Sequence, residues 1–283
     1  MHHRLALVLC VLATACSGGG DSTEDLGLPT LHIDVTDSPF HDGKVEAAIL
    51  HVDRITMHVQ ADATSGFIEV YQGAPIEIDL IELRNGITRR MTSRRLPPGT
   101  YRQLRLHVSH ALLRLENGVE YSTEEGGLQM TSQDTSGFKV FLDPPIELVE
   151  GLSDDRVLLD FDLVRTFKAV GKPDDPLKFH LHPGIRAATS TMTAEIHGVV
   201  SVVDLSGSLL PAPDAVIYLL PPGERDLDQS ITTTLSEVDG SMALIGLPGG
   251  TYDLVAVLGD EQVRVNGVPV VADEIAVVDL TIP

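Results

Sequence analysis

The chain has 283 residues, 43% of them hydrophobic, and a formal net charge of −21. That length suffices for two domains with separate cores, and so strong a negative charge argues against nucleic acid or an anionic membrane surface as the bulk partner. Tryptophan is absent and aromatic residues make up only 4%, so the cores must rest on Val, Leu and Ile, which favour pleated, half-buried surfaces.

The N-terminus reads as a targeting segment. His2, His3 and Arg4 form a polar start, and Leu5 to Leu12 form an apolar stretch too short to span a bilayer. Ala13-Thr14-Ala15-Cys16 then places small residues directly before a cysteine. This resembles the lipobox of bacterial lipoproteins, which implies a signal peptide over residues 1–15 and lipidation of Cys16. The match departs from the usual pattern at Ala13, where leucine is common. Residues 16–28 are expected to form a flexible tether, polar from Ser17 to Ser22. Cys10 and Cys16 are the two cysteines, so neither a disulfide nor a thiolate metal site is expected in the folded part.

Beyond the tether, Leu31 to Val35 alternates as a strand, and Thr36-Asp37-Ser38-Pro39 ends it with turn chemistry. Residues 45–60 predict a strand with an irregularity near Asp53-Arg54. Phe67 to Tyr71 and Ile76 to Leu80 read as two short strands, and Leu80 to Leu83 as a brief helical turn before Asn85-Gly86. Leu96-Pro97-Pro98-Gly99-Thr100-Tyr101 is a tight corner, in which the tyrosine is placed to hydrogen-bond backbone upstream. After it, Leu104, Leu106 and Val108 face one side, with Gln103, Arg105 and His107 on the other. Asn117-Gly118 is a two-residue hairpin signal. Phe138 to Leu142 and Arg156 to Leu163 follow; in the latter, Leu159 and Phe161 should face the core, with Asp160 and Asp162 in solvent. No stretch holds a helical period.

In order along residues 29–190, several of these stretches resemble one family. They are Thr36 to Pro39, Ile78 to Gly86, the corner from Leu96 to Tyr101, Leu159 to Asp162, and His182-Pro183-Gly184-Ile185-Arg186. The family is the uncharacterised bacterial lipoprotein domain DUF4382. The resemblance implies an exported envelope protein and transfers no catalytic residue.

Thr189 to Thr193 reads as a polar linker. A second β pattern follows over 194–283, with Ile196 to Val200, Ala212 to Tyr218, the Asp239-Gly240 turn and a second corner, Leu247-Pro248-Gly249-Gly250-Thr251-Tyr252. This region resembles the carboxypeptidase regulatory-like domain, a transthyretin-like sandwich of seven strands that serves as a packing or binding unit. The fold expected for the whole chain is all-β, two tandem β-sandwiches.

Three constellations could carry chemistry. Asp34, Asp37, Asp42, Asp160 and Asp162 offer the oxygen ligands that calcium needs, against solubility and turn roles for the same residues. His107, His180 and His182 could in principle meet at a transition metal, although no zinc motif supports it. Seven arginines lie between Arg84 and Arg105 with no acidic residue among them. Arg89, Arg90, Arg94 and Arg95 are therefore candidates for binding carboxylate or phosphate groups. The competing expectation is that they pair with the protein's own acidic loops, such as Asp154-Asp155 or Asp174-Asp175.

No catalytic residue is assigned, since no nucleophile motif is present. The expected function is a lipid-anchored envelope binding or scaffold protein, placed at the outer membrane because Ser17 after the cysteine is not an aspartate-type retention signal; its expected partner is an envelope or extracellular glycan or protein, with no nucleic acid. A carboxylate-dependent envelope hydrolase using Asp160 and Asp162, or a purely structural lipoprotein, are the alternatives.

Overall fold

The computed structural model describes residues 27–38, 45–60, 65–130, 137–151, 154–172 and 175–283. Residues 1–26, which hold the expected signal peptide, Cys16 and most of the expected tether, lie outside them, as do Pro39, His41, Asp42 and Asp174. No described helix is long and apolar enough to cross a membrane.

The first unit opens with β1 (Thr30–Ser38), β2 (Val45–Gln60) and β3 (Ser65–Asp79), then a 3-10 turn at Leu80–Leu83. Next come β4 (Arg89–Arg95), β5 (Gly99–Leu115), β6 (Glu120–Ser122), β7 (Leu128–Met130) and β8 (Phe138–Leu148). β9 (Asp154–Asp162), a single helical turn α1 (Leu163–Thr166), β10 (Phe167–Lys172), β11 (Asp175–Leu181) and β12 (Ile185–Thr189) complete it.

These strands form a sandwich. One sheet runs β12-β9-β1-β4, with β1 and β9 parallel. The other runs β3-β2-β5, and the long β5 then pairs β8 along its first half and β6 along its second. Leu31, Ile33 and Val35 from β1, Leu50, Val52 and Ile55 from β2, and Leu159 and Phe161 from β9 belong to one core cluster. The alternating apolar residues of each strand point into this layer, as the period of two requires. A small sheet, β10-β11-β7, flanks it.

Four local details differ from the sequence reading. β1 runs through Ser38 because β9 pairs it along its full length. The two segments expected around Tyr71 and Ile76 are one strand, β3, which accommodates Gly73-Ala74-Pro75 through register shifts against β2. β4 was not foreseen, since an arginine-rich stretch carries no strand pattern; it forms because β1 offers it an edge to pair with. Asp160 is not in solvent: it is 5% exposed, because the second unit covers it. The irregularity near Asp53-Arg54 is present as a shift of register between Val52 and Arg54.

The second unit contains β13 (Ala194–Val203), β14 (Leu209–Pro211), β15 (Val216–Leu220) and β16 (Thr232–Leu235). It continues with β17 (Ser241–Leu247), β18 (Gly250–Leu258), β19 (Glu261–Val270), β20 (Ile275–Val277) and β21 (Leu280–Ile282). β13 is the centre of one sheet, pairing β14, β17, β20 and β21; the other runs β16-β15-β18-β19. Nine strands appear where seven were expected, because three-residue segments share the long edges of β13. A separate cluster, with Ile196, Ile217, Leu219, Leu244 and Leu254, forms its core.

Both corners close in the same way. The Tyr101 hydroxyl donates to the Pro97 carbonyl at 2.8 Å, and the Tyr252 hydroxyl donates to that of Pro248 at 2.8 Å. Burial pushes the Tyr101 phenol up to about 12, so it stays a donor throughout the physiological range.

Candidate functional site

The outward face of the β12-β9-β1-β4 sheet carries a row of opposite charges. On β1, Leu31, Ile33 and Val35 face the core, so His32, Asp34 and Thr36 face outward. On β9 the outward set is Arg156, Leu158, Asp160 and Asp162. Register places Thr36 beside Asp160 and Ser38 beside Asp162. Asp37, opposite Phe161, has the parity of the core face.

Asp34 is 4% exposed and is held by two guanidinium groups. Arg90 of β4 donates to it through Nε, and Arg156 Nε lies 2.7 Å from its Oδ2. Arg90 also reaches Ser93 Oγ at 3.1 Å. A buried carboxylate is tolerated when paired and hydrogen-bonded in this way.

Asp160 repeats the arrangement beneath the second unit. Arg186 of β12 donates to its Oδ2 from Nε and Nη2, at 3.1 and 2.7 Å, and Thr232 of β16 donates to the same oxygen at 2.8 Å. The same guanidinium reaches across the joint to the Gly246 and Ile245 carbonyls, at 2.7 and 3.3 Å. Gly246 has φ +65°, and a Cβ there would meet Ala188 Cβ at 2.9 Å and Leu158 Cδ2 at 3.1 Å. The glycine therefore serves both the backbone conformation and the close approach of the two units.

Three further contacts span the joint. Ala243 N donates to Asn85 Oδ1 at 2.6 Å. Arg165 Nη2 donates to the Asp228 and Ser230 carbonyls at 2.7 and 3.1 Å, and Arg84 pairs with Glu237 at 3.6 Å. Beside them, a cleft of about 250 Å³ opens between Arg156, Leu158, Met192, Glu195 and Ile245.

The structure thus divides the residues singled out from sequence. Arg89, Arg90, Arg94 and Arg95 all lie on β4, an edge strand, and all are exposed. Charged side chains on such an edge also discourage another chain from pairing with it. Arg90 is turned onto Asp34 and Arg84 onto Glu237, so their partners are not the acidic loops at 154–155 or 174–175. Asp34, Asp160 and Asp162 share a face, but Asp34 and Asp160 are engaged by arginines, and Asp162 caps α1 by accepting from Arg165 N at 2.9 Å. Among the described residues, no three His, Cys, Asp or Glu side chains are placed to hold a metal ion. His107 and His180 lie on different sheets, and His107 Nδ1 is 2.9 Å from Arg54 Nη2. Burial, then the Arg54 charge, lowers the His107 pKa.

Sequence reasoning missed the partners Thr232 and Gly246, which come from the far end of the chain. Asn85 and Arg186 stand within the stretches that carry the family resemblance, with nothing local to mark their partners. A polar side chain fixed inside a turn or strand motif is the weak signal that could have marked them as joint residues.

A family described as "Domain of unknown function (DUF4382)" matches residues 29–183, more than half of the chain. No curated protein matches. Among solved structures, similarity is found to the Bacillus anthracis TIE protein, at 10% identity and TM-score 0.23, covering 90% of this chain and 34% of that one. The chain thus spans about a third of that protein's length. GBS52, the minor pilin of Streptococcus agalactiae, is 10% identical at TM-score 0.25, with 89% of this chain and 94% of that one covered. The shaft pilin SpaA from Lactobacillus rhamnosus GG is 9% identical at TM-score 0.25, with 90% and 98% covered. At these scores the overlays are loose, and the fold rests on the strand pairing described above.

Proposed function

The chain belongs to the DUF4382 family, and from that premise we propose that it is a lipid-anchored binding or scaffold module of the bacterial cell envelope. The observation that carries this reading is the Arg186 contact, which joins one unit's buried Asp160 to the other's Gly246 and Ile245 carbonyls. Side chains that could have served a hydrolase are used here to hold two sandwiches together. Asp160 is covered and paired, and Asp162 caps a helical turn. A rigid pair of sandwiches on a tether suits presentation of a surface away from a membrane.

In this reading Cys16 carries the lipid, residues 16–28 are the tether, and the 194–283 unit is a carboxypeptidase regulatory-like domain used for packing. Several acyl chains on one cysteine would anchor firmly, since each buried methylene contributes about 0.8 kcal/mol. The partner is an envelope or extracellular glycan or protein.

The test is expression of the full chain in a Gram-negative host with labelled palmitate. The wild type is expected in the membrane fraction and labelled; Cys16→Ala is expected unlabelled and released from it. A Cys16→Ala protein that stays with the membranes would overturn the anchoring.

A further inference from the structure

We propose that the outward face of the β3-β2-β5-β8 strands is a binding platform for an acidic polysaccharide, with Arg105 as its anion site and Phe141 as its stacking surface. This rests on the envelope reading above, which places glycans rather than nucleic acid within reach.

The face is assembled by register. Phe67 of β3 lies opposite His58 of β2, His58 opposite Gln103 of β5, and Gln103 opposite Phe141 of β8. One row of side chains therefore crosses four strands, about 14 Å at roughly 4.8 Å per step. The next row is Glu69, Thr56, Arg105 and Lys139. Phe67 and Phe141 are 40% and 71% exposed, whereas the other four described phenylalanines are buried. In a chain this poor in aromatic residues, both exposed phenylalanines fall in one row of one face.

Arg105 is held differently from the carboxylate-paired arginines, including Arg114 farther along its own strand. Arg84, Arg90, Arg114, Arg156 and Arg186 each lie against a carboxylate. Among the described residues Arg105 lies against no carboxylate: its guanidinium carbon sits 3.6 Å above the centre of the Phe67 ring, and its buried Nε has no hydrogen-bond partner there. His58 meets the same ring edge-on, with centroids 5.1 Å apart. Lys139 is directly across from Arg105, and Arg54 is turned to His107 rather than to an acid. Stacking holds the Arg105 fork in place, which lowers the ordering cost of binding a carboxylate in two-point fashion.

The ligand must then offer spaced carboxylates and apolar ring faces. A uronic-acid polymer does both: its carboxylates suit Arg105 and Lys139, and the C–H face of a sugar ring suits the negative face of the Phe141 ring. Glu69 shares the Arg105 row but stands two strands away, about 10 Å, and screening over about 8 Å at physiological salt limits repulsion from it and from carboxylates elsewhere on the protein.

Binding of detergent-solubilised full-length protein to polygalacturonate, with neutral dextran and polyphosphate as comparisons, tests this. Arg105→Gln and Phe141→Ala are each expected to weaken polygalacturonate binding about tenfold, the scale of one lost charge-assisted or stacking contact. Arg94→Gln, on the β4 edge of the other sheet, is expected to leave it unchanged. Phe141 is so exposed that its replacement leaves the core intact. The proposal is overturned by absent binding to polygalacturonate, by equal binding to polyphosphate, or by losses with Arg94→Gln that match those with Arg105→Gln. Such results would leave palmitate labelling at Cys16 unaffected, so the two readings fail separately.

Discussion

Arg186 and Asp160 meet at the joint between the two units: two guanidinium nitrogens meet one carboxylate oxygen at 3.1 and 2.7 Å, while a third binds the Gly246 carbonyl of the other unit at 2.7 Å. Replacing Arg186 by Ala leaves Asp160 buried without its cation and takes one donor from each of two carbonyls. The expected cost is about 3 kcal/mol, the range for breaking a buried pair. Urea denaturation should change from one cooperative transition to two, because the joint is what couples the units. A single unshifted transition would mean the joint contributes little.

Gly246 tests the same joint by shape. Gly246→Ala puts a methyl against Ala188 and Leu158 at a backbone angle that L-residues rarely adopt. The variant is expected to lose about 1–2 kcal/mol and to gain protease cleavage at the 189–193 connection, read by limited proteolysis. Gly198→Ala should be worse, since its Cβ would collide with the Val278 carbonyl oxygen inside the second sandwich.

The two corners make a matched pair of experiments. Tyr101→Phe and Tyr252→Phe each remove one hydroxyl donor to a proline carbonyl and keep the ring. Each should cost about 1 kcal/mol by chemical denaturation. In an Arg186→Ala background, each should shift only its own transition.

Asp253 sets a pH dependence. The Gly223 and Gly267 amides, with Arg264, hold its carboxyl below the ordinary value of 3.8. A depressed folded-state pKa means that its stabilisation is full above pH 3.8 and drains away as pH falls through the lower folded value. Asp253→Ala should therefore lower Tm at pH 7 through the unpaired Arg264 and amides. It should also show a smaller further loss than wild type below about pH 4.

Much of this architecture is legible without coordinates. Alternation in β1, and in β5 from Leu104 to Val108, specifies which side of the strand is buried, because a period of two allows no other division. The Leu-Pro-Gly-Tyr corners specify their own geometry, since proline, glycine and a tyrosine hydroxyl act over four residues. Asp79 caps the predicted turn at Leu80–Leu83 from the residue just before it.

What lay beyond the sequence is long-range pairing. Arginine-rich β4 is a strand only because β1 offers it an edge, and its composition carries no such signal. Asp160 reads as a solvent residue on an alternating strand, and becomes a buried joint residue because Thr232, 72 positions later, closes over it. Phe67, Arg105 and Phe141 come from three separate strands, and only the register of β3, β2, β5 and β8 makes them neighbours. Local patterning determines the faces of the strands; which faces meet, and which side chains those meetings bring together, is decided by the free energy of burying those faces against one another.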